Sequence, residues 1–308
     1  MASSAEHLTR TRDAMADAGV DLLVLGREAN ARYVSGANRL WLAGTRPFAP
    51  GCVVVGATGA VHLLSVTDDG VPDDVPTGRL YPISWDPTTL VGAVGAAAAG
   101  TAVRRIGVDG ISPLFAALLG GVFPDAELVD GEALLRAVRR VKSREDVRGI
   151  RAAAAVADAA LQAVVAASGP DVAPATLVGV FEERMGELGA TTPAFVPVVT
   201  RWGARVGARV GVLVDGWGAV LARTWPDGDA VAAAAATAVA RVRPGATVTD
   251  VAGDVATVDG LGLGHEVLRG ADVLEPGMVV VVTVDRDDGC WGDTVLVTDA
   301  NPEVLTAA

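Results

Sequence analysis

Between Gly260 and Asp299 the chain reads GLGLGHEV, then LEPGMVVVVTV, then GDTVLVTD. Apolar runs alternate there with glycine, proline and acidic turn residues. A segment punctuated in this way is restricted to extended strands joined by tight connections. Asp287, Asp288 and Gly289 read as the hairpin turn between the last two runs. This frame of glycines and hydrophobics constrains the C-terminal half more than any other feature of the sequence.

A length of 308 residues suits two compact domains better than one. Ser143 followed by Asp146 is a capping-box spacing that opens a long Ala-rich helix, and it places the boundary between domains 1–142 and 143–308. In the first domain, Glu6–Ala18 has helical periodicity closed by Gly19. DLLVLG reads as a buried strand and CVVVGATGAVHLLSV as a hairpin. Residues 66–78 form a loop rich in Asp, Pro and Gly, after which helix-like and strand-like segments alternate to Val129. The fold class is α/β (α+β), with helices covering a sheet in the N-terminal domain. In the second domain a helix-sized segment, Ala230–Arg241, and the turn RPGATVTD precede the glycine frame.

Composition excludes several classes. The net charge of −12 comes from scattered acids, and the one lysine, Lys142, with dispersed arginines makes no basic face. Nucleic-acid binding is therefore not expected. No apolar run of transmembrane length is read, and MASSAEHLTRTRDAM looks like a polar helix start rather than a leader. Cys52 and Cys290 sit far apart in sequence and make neither a disulfide framework nor a zinc-ribbon spacing. A cytoplasmic protein without membrane contact or cofactor is expected.

Three constellations could carry chemistry. From Arg201 to Val212 the sequence alternates with period two: Arg201, Gly203, Arg205, Gly207, Arg209 and Gly211 on one face, apolar residues on the other. Glycine in a strand marks close approach of a ligand, and arginine can grip a carboxylate in a bidentate fork. The competing reading is the solvated face of an antiparallel strand. The second candidate is His265, one of three histidines, either a general acid–base or a satisfied structural histidine. The third is VTVDRDDGCWGD, where Asp285 shares the face of Thr283. Asp285, Asp293 and His265 could form a rearranged metal site. Cys290 could pair with His265 as a nucleophile, though a buried inert thiol is the better reading.

These segments resemble the creatinase–aminopeptidase P ("pita-bread") family, whose metallopeptidase members read roughly GHGIGLEVHE, then LxPGMVFTIEP, then a Glu just before DTVLVT. RVGVLVDGWGAVLARTW resembles the family's D-F-G-A-x-x-x-G-Y-x-S-D-x-T-R-T-F, and DLLVLGREANARYVSGANRLW…RPF resembles its N-terminal domain. The resemblance implies a creatinase-type N-terminal α/β domain followed by a shortened pita-bread domain. The five metal-ligand positions of the family fall on Arg209, Val220, Leu261, Thr283 and Gly292, so no metal is expected. Arg209 would meet an anionic substrate group where a metal-binding Asp once stood, with Thr283 beside it. By the same resemblance a homodimer is implied, in which Trp41 or Arg46 reaches the partner's site; an ordinary surface loop is the alternative.

The expected function is a metal-independent enzyme acting on a small anionic metabolite. His265 and Asp285 would be catalytic, and Arg209, Arg205, Arg201, Thr283, Arg46 and Trp41 would bind substrate. The alternative is a non-catalytic pseudopeptidase that serves as a binding or scaffold protein. An ordinary metalloaminopeptidase is not expected, because dinuclear hydrolysis needs bridging carboxylates.

Overall fold

The computed structural model describes residues 2–37, 51–82 and 84–306. Two units divide at Arg139/Arg140, just ahead of the Ser143 cap.

The first unit contains α1 (Ala2–Asp17), β1 (Leu22–Leu25), α2 (Glu28–Ser35), β2 (Cys52–Val55), β3 (Ala60–Leu64), β4 (Leu80–Tyr81), α3 (Pro87–Ala97), β5 (Arg105–Asp109), α4 (Pro113–Val122), β6 (Glu127–Asp130) and α5 (Gly131–Arg140). Among the described residues its sheet has the order β4-β3-β2-β1-β5-β6. The β2–β3 hairpin pairs Val55 with Ala60 across the Gly-containing turn read from the sequence. β1 is buried along its whole length because it sits between antiparallel β2 and parallel β5. Asp109, at the end of β5, accepts hydrogen bonds from the backbone N–H groups of Gly26 (2.5 Å) and Arg27 (2.9 Å), and so secures the turn into α2.

The second unit contains α6 (Arg144–Ala167), α7 (Pro174–Glu187), β7 (Thr192–Pro193), β8 (Val198–Trp202), β9 (Arg205–Val214), β10 (Trp217–Trp225), α8 (Asp229–Val239), α9 (Val248–Ala252), β11 (Thr257–Gly262), β12 (Gly264–Glu266), β13 (Val279–Arg286), β14 (Gly289–Leu296) and β15 (Glu303–Val304). Its sheet runs β12-β11-β13-β14-β10-β9-β7, with β8 also on β9 and β15 on β14. Asp215 (φ 49°) and Gly216 (φ 83°) make the two-residue turn between β9 and β10. Both central positions need positive φ, which Asp-Gly supplies at low cost.

Both halves of the capping box form at the start of α6: Ser143 Oγ accepts from the Asp146 N–H, and the Asp146 carboxylate accepts from the Ser143 N–H. By length and average composition alone, α6 is long and apolar enough to cross a membrane. Its apolar stripe is already committed, however. Ala153, Ala157, Leu161 and Val164 pack on Ala208, Val210 and Leu221 of the sheet, in one core cluster with Phe181 of α7. A second core lies between α8, α9 and the sheet and includes Val239, Val251, Val280, Val282 and Val295.

Candidate functional site

The opposite face of the second sheet holds Arg205, Arg209, Thr283 and Asp285 of the positions singled out in the sequence. Strand registers align Val198, Arg209, Ala222, Gly292, Thr283 and Thr257 in one row across β8, β9, β10, β14, β13 and β11. Directly opposed residues project from the same face. Two residues along β10 from Ala222, Val220 packs in an apolar cluster with Leu261, Val279, Val281 and Ile150. The backbone of Val220 is closed off as well: its N–H donates to Thr294 Oγ1 (3.0 Å), and that hydroxyl donates to the Val220 carbonyl (2.8 Å).

Thus the five positions that the resemblance sets against the family's metal ligands carry a guanidinium, two aliphatic side chains, a hydroxyl and a glycine. This set does not fit a dinuclear metal centre, which is held by carboxylates and imidazole. Among the described residues no cluster of three or more His, Cys, Asp or Glu side chains is placed to hold a metal ion.

At one end of the row lies an open pocket of about 170 Å³, lined by Thr200, Trp202, Gly207, Arg209, Asp285 and Cys290, among others. Arg209 Nη1 lies 3.7 Å from Asp285 Oδ2, and both side chains are partly exposed (39% and 54%). The guanidinium carbon stands 5.6 Å from the centre of the Phe195 ring, a cation–π arrangement. Arg209 Nε is buried and has no hydrogen-bond partner. Cys290 forms the floor. Burial pushes its thiol above the usual range, against a hydrogen bond from Thr224, so it is a neutral packing group rather than a thiolate nucleophile.

Several sequence expectations change. Arg201 is not on the Arg209 face. Gly203 (φ 61°) turns the chain, β8 and β9 form a hairpin, and Arg201 pairs with Val206. Crossing that turn shifts the phase of the alternation, so Arg201 faces the helices and donates to the carbonyls of Gly169 (2.8 Å) and Val172 (2.9 Å). The same shift brings Trp202, read as a core residue, into the pocket; a Cβ on Gly207 would strike its ring. Arg205 shares the Arg209 face but pairs at the surface with Asp288 (3.1 Å). Thr283 is buried in the row, two residues from Asp285.

His265 does not join Asp285. It lies opposite Leu261 on β12, 60% exposed, with Nε2 at 3.2 Å from Asp259 Oδ1. Nor do Asp285, Asp293 and His265 converge into a metal site. Asp293 alternates with Gly292 and so points to the helix side. There its carboxylate accepts from Arg223 Nη2 (2.7 Å), Thr306 Oγ1 (3.0 Å) and Trp291 Nε1 (3.2 Å). Trp41 and Arg46 lie outside the described residues.

Sequence reasoning missed two buried polar assemblies. Lys142 Nζ donates to Glu266 Oε2 at 2.6 Å, with the two side chains only 2% and 5% exposed. The sole lysine of an arginine-rich chain was the available signal. The other is the Arg223–Asp293 pair, with the guanidinium 4.5 Å over the Trp291 ring. Near it, burial and the Asp293 charge raise the Asp158 carboxyl to about 6, against the pull of Arg223.

Residues 7–141 match the family model for the creatinase/prolidase N-terminal domain. Among solved structures the chain is similar to the prolidase from Pyrococcus furiosus: TM-score 0.75, 18% identity, covering 98% of this chain and 99% of that one. It is similar to the Xaa-Pro dipeptidase from Bacillus anthracis, with TM-score 0.78 and 20% identity over 99% and 98% of the chains. It is also similar to the aminopeptidase PepP from Pseudomonas aeruginosa, with TM-score 0.76 and 17% identity over 98% and 94%. No curated protein sequence gives a significant match. At these identities the structural likeness establishes the fold. Residues 7–141 are thus a creatinase/prolidase N-terminal domain by the family model, and the chain as a whole shares the fold of these prolidases and aminopeptidases.

Proposed function

We propose that the chain is a metal-independent protein that binds a small carboxylate on the creatinase–prolidase scaffold, a pseudopeptidase rather than a peptidase. The observation that carries this reading is Arg209: a cation on the sheet face, at the edge of a pocket, with a buried Nε that donates to nothing. A guanidinium with free donors beside an open cavity favours a planar anion held in a fork. Two further features support binding over catalysis. Val220 and Leu261 belong to a packed apolar cluster, and the groups expected to move protons lie apart, His265 beside Asp259 and Asp285 beside Arg209.

The test has two parts. Elemental analysis of purified protein should find no stoichiometric Mn, Co, Fe or Zn, and added Mn(II) should produce no cleavage of Xaa-Pro dipeptides. Small carboxylates such as acetate and propionate should raise the Tm of the wild type but not of Arg209→Gln. Bound metal accompanied by dipeptide cleavage would overturn the proposal.

A second reading, a metal-independent enzyme, has the His265–Asp259 contact in its favour, since a carboxylate can orient an imidazole for proton transfer. It predicts a metabolite consumed by the wild type and spared by His265→Ala, read by mass spectrometry of an incubated extract.

A further inference from the structure

We infer that the Arg209 pocket is a receptor for a zwitterion, namely a free α-amino acid with a short apolar side chain. Arg209 takes the carboxylate and Asp285 the ammonium. This rests on the carboxylate-binding reading above and adds to it the second charge, the size and the character of the ligand.

The first observation is the looseness of the Arg209–Asp285 pair. Two other ion pairs in the same unit close to hydrogen-bond length, Lys142–Glu266 at 2.6 Å and Arg223–Asp293 at 2.7 Å, and both are buried. Arg209 and Asp285 stop at 3.7 Å and stay partly exposed. Charge-assisted hydrogen bonds run about 2.7–2.9 Å, so this pair is held near contact without making one. An exposed pair of this kind contributes little to stability, and a ligand entering between the two groups gives up little.

The second observation is what each partial ligand would leave behind. A plain carboxylate on Arg209 faces the Asp285 carboxylate a few ångströms away, and the two negative charges repel. A plain amine on Asp285 leaves Arg209 unanswered, and Arg286, which also borders the pocket, opposes it further. A ligand carrying an ammonium and a carboxylate on one carbon satisfies both walls at once.

The third observation is shape. Val198 and Trp202, whose ring lies directly against Gly207, supply an apolar wall, and the neutral Cys290 thiol lines the pocket beside them. The cavity of about 170 Å³ is well below the ~300 Å³ at which pockets for drug-sized ligands begin. One short side chain fits such a space; a long or charged one does not.

The experiment is isothermal titration of the full-length protein with L-alanine and L-valine, and with their deamino counterparts propionate and 3-methylbutanoate. Wild type should bind each amino acid at least ~10-fold more tightly than its counterpart. Asp285→Asn should remove that preference, leaving propionate bound as well as or better than by wild type. Arg209→Gln should lose all four ligands. Arg209→Lys, which keeps the charge without the fork, should bind them weakly. Thermal unfolding of each variant checks that it is folded.

Equal affinity for amino acids and deamino acids, or a preference that survives Asp285→Asn, overturns the zwitterion assignment and leaves carboxylate binding standing. Wild-type protein that binds none of the four, or binding that is indifferent to Arg209→Gln, removes both readings.

Discussion

Arg209 and Asp285 approach to 3.7 Å although β10 and β14 separate their strands in the sheet. The row between Arg209 and Thr283 is occupied by Ala222 and Gly292, a methyl group and a hydrogen. Small residues clear a path that the long arginine stem can follow across the sheet face. A Cβ at position 292 would lie 2.9 Å from Thr283 Oγ1. Gly292→Val is expected to destabilise the protein by ~1–3 kcal/mol through overpacking. It is also expected to weaken carboxylate binding by crowding the path of Arg209. Urea denaturation and ligand titration on the same variant check the two effects; a variant as stable as wild type would argue against the close approach of Thr283 to position 292.

The Lys142–Glu266 pair gives a prediction that separates breaking a charge pair from replacing it. Both side chains are buried, and the Lys142 N–H donates to the Gly277 carbonyl, so the segment cannot swing the amine out to water. Lys142→Ala should cost ~3–5 kcal/mol, because it strands the Glu266 carboxylate. The double variant Lys142→Met/Glu266→Leu should recover most of that loss. Denaturant midpoints of the single and double variants decide the matter, and additive losses would contradict it.

Asp158 sets a pH dependence. Its Oδ1 is buried without a hydrogen-bond partner, and burial raises its carboxyl from 3.8 to about 6 in the folded protein. The folded state therefore holds this proton more tightly than the unfolded state. The group carries no penalty below the unfolded pKa, and its penalty grows as pH rises from about 4 to about 6. Asp158→Asn should raise the Tm relative to wild type at pH 8, with the difference shrinking toward pH 4.5. A difference that grows on acidification would mean that Arg223 holds the carboxylate ionised.

Both cysteines are buried and free, and burial drives both thiols above their usual range. Native protein at pH 8 should react with a disulfide reagent such as DTNB far more slowly than protein unfolded in guanidinium, which should release two thiols per chain. Fast reaction of one thiol in native protein would show that the Cys290 floor is open to solvent, and Cys290→Ser would identify it.

How much of this was legible follows from what kind of signal each feature leaves. The Asp215–Gly216 turn, the Ser143 capping box and the β2–β3 hairpin are local, and the residues that cause them stand next to one another. The family frame is likewise local, being short runs of glycine and hydrophobics. Alternation failed at Gly203, because a period-two reading carries no mark of the residue at which a hairpin reverses its phase. The pairing of Arg209 with Asp285, of Lys142 with Glu266 and of Arg223 with Asp293 depends on register between strands distant in sequence. No single-chain pattern specifies that register. His265 was singled out for its chemistry, and its position at the exposed β11–β12 corner follows from that same hidden register.

Val220 and Leu261 share one packed cluster with Ile150, Val279 and Val281, and that packing works as a ratchet. Placing acidic and imidazole side chains at these positions would not by itself build a metal centre. A carboxylate at 220 would enter an apolar neighbourhood whose members now hold one another in place, and until several neighbours changed together it would lower stability without gaining an ion. Selection for peptide cleavage would therefore meet a barrier several substitutions wide. The pocket beside Trp202, where Arg209 and Asp285 stay partly exposed and loosely paired, has no such packed cluster around its charges.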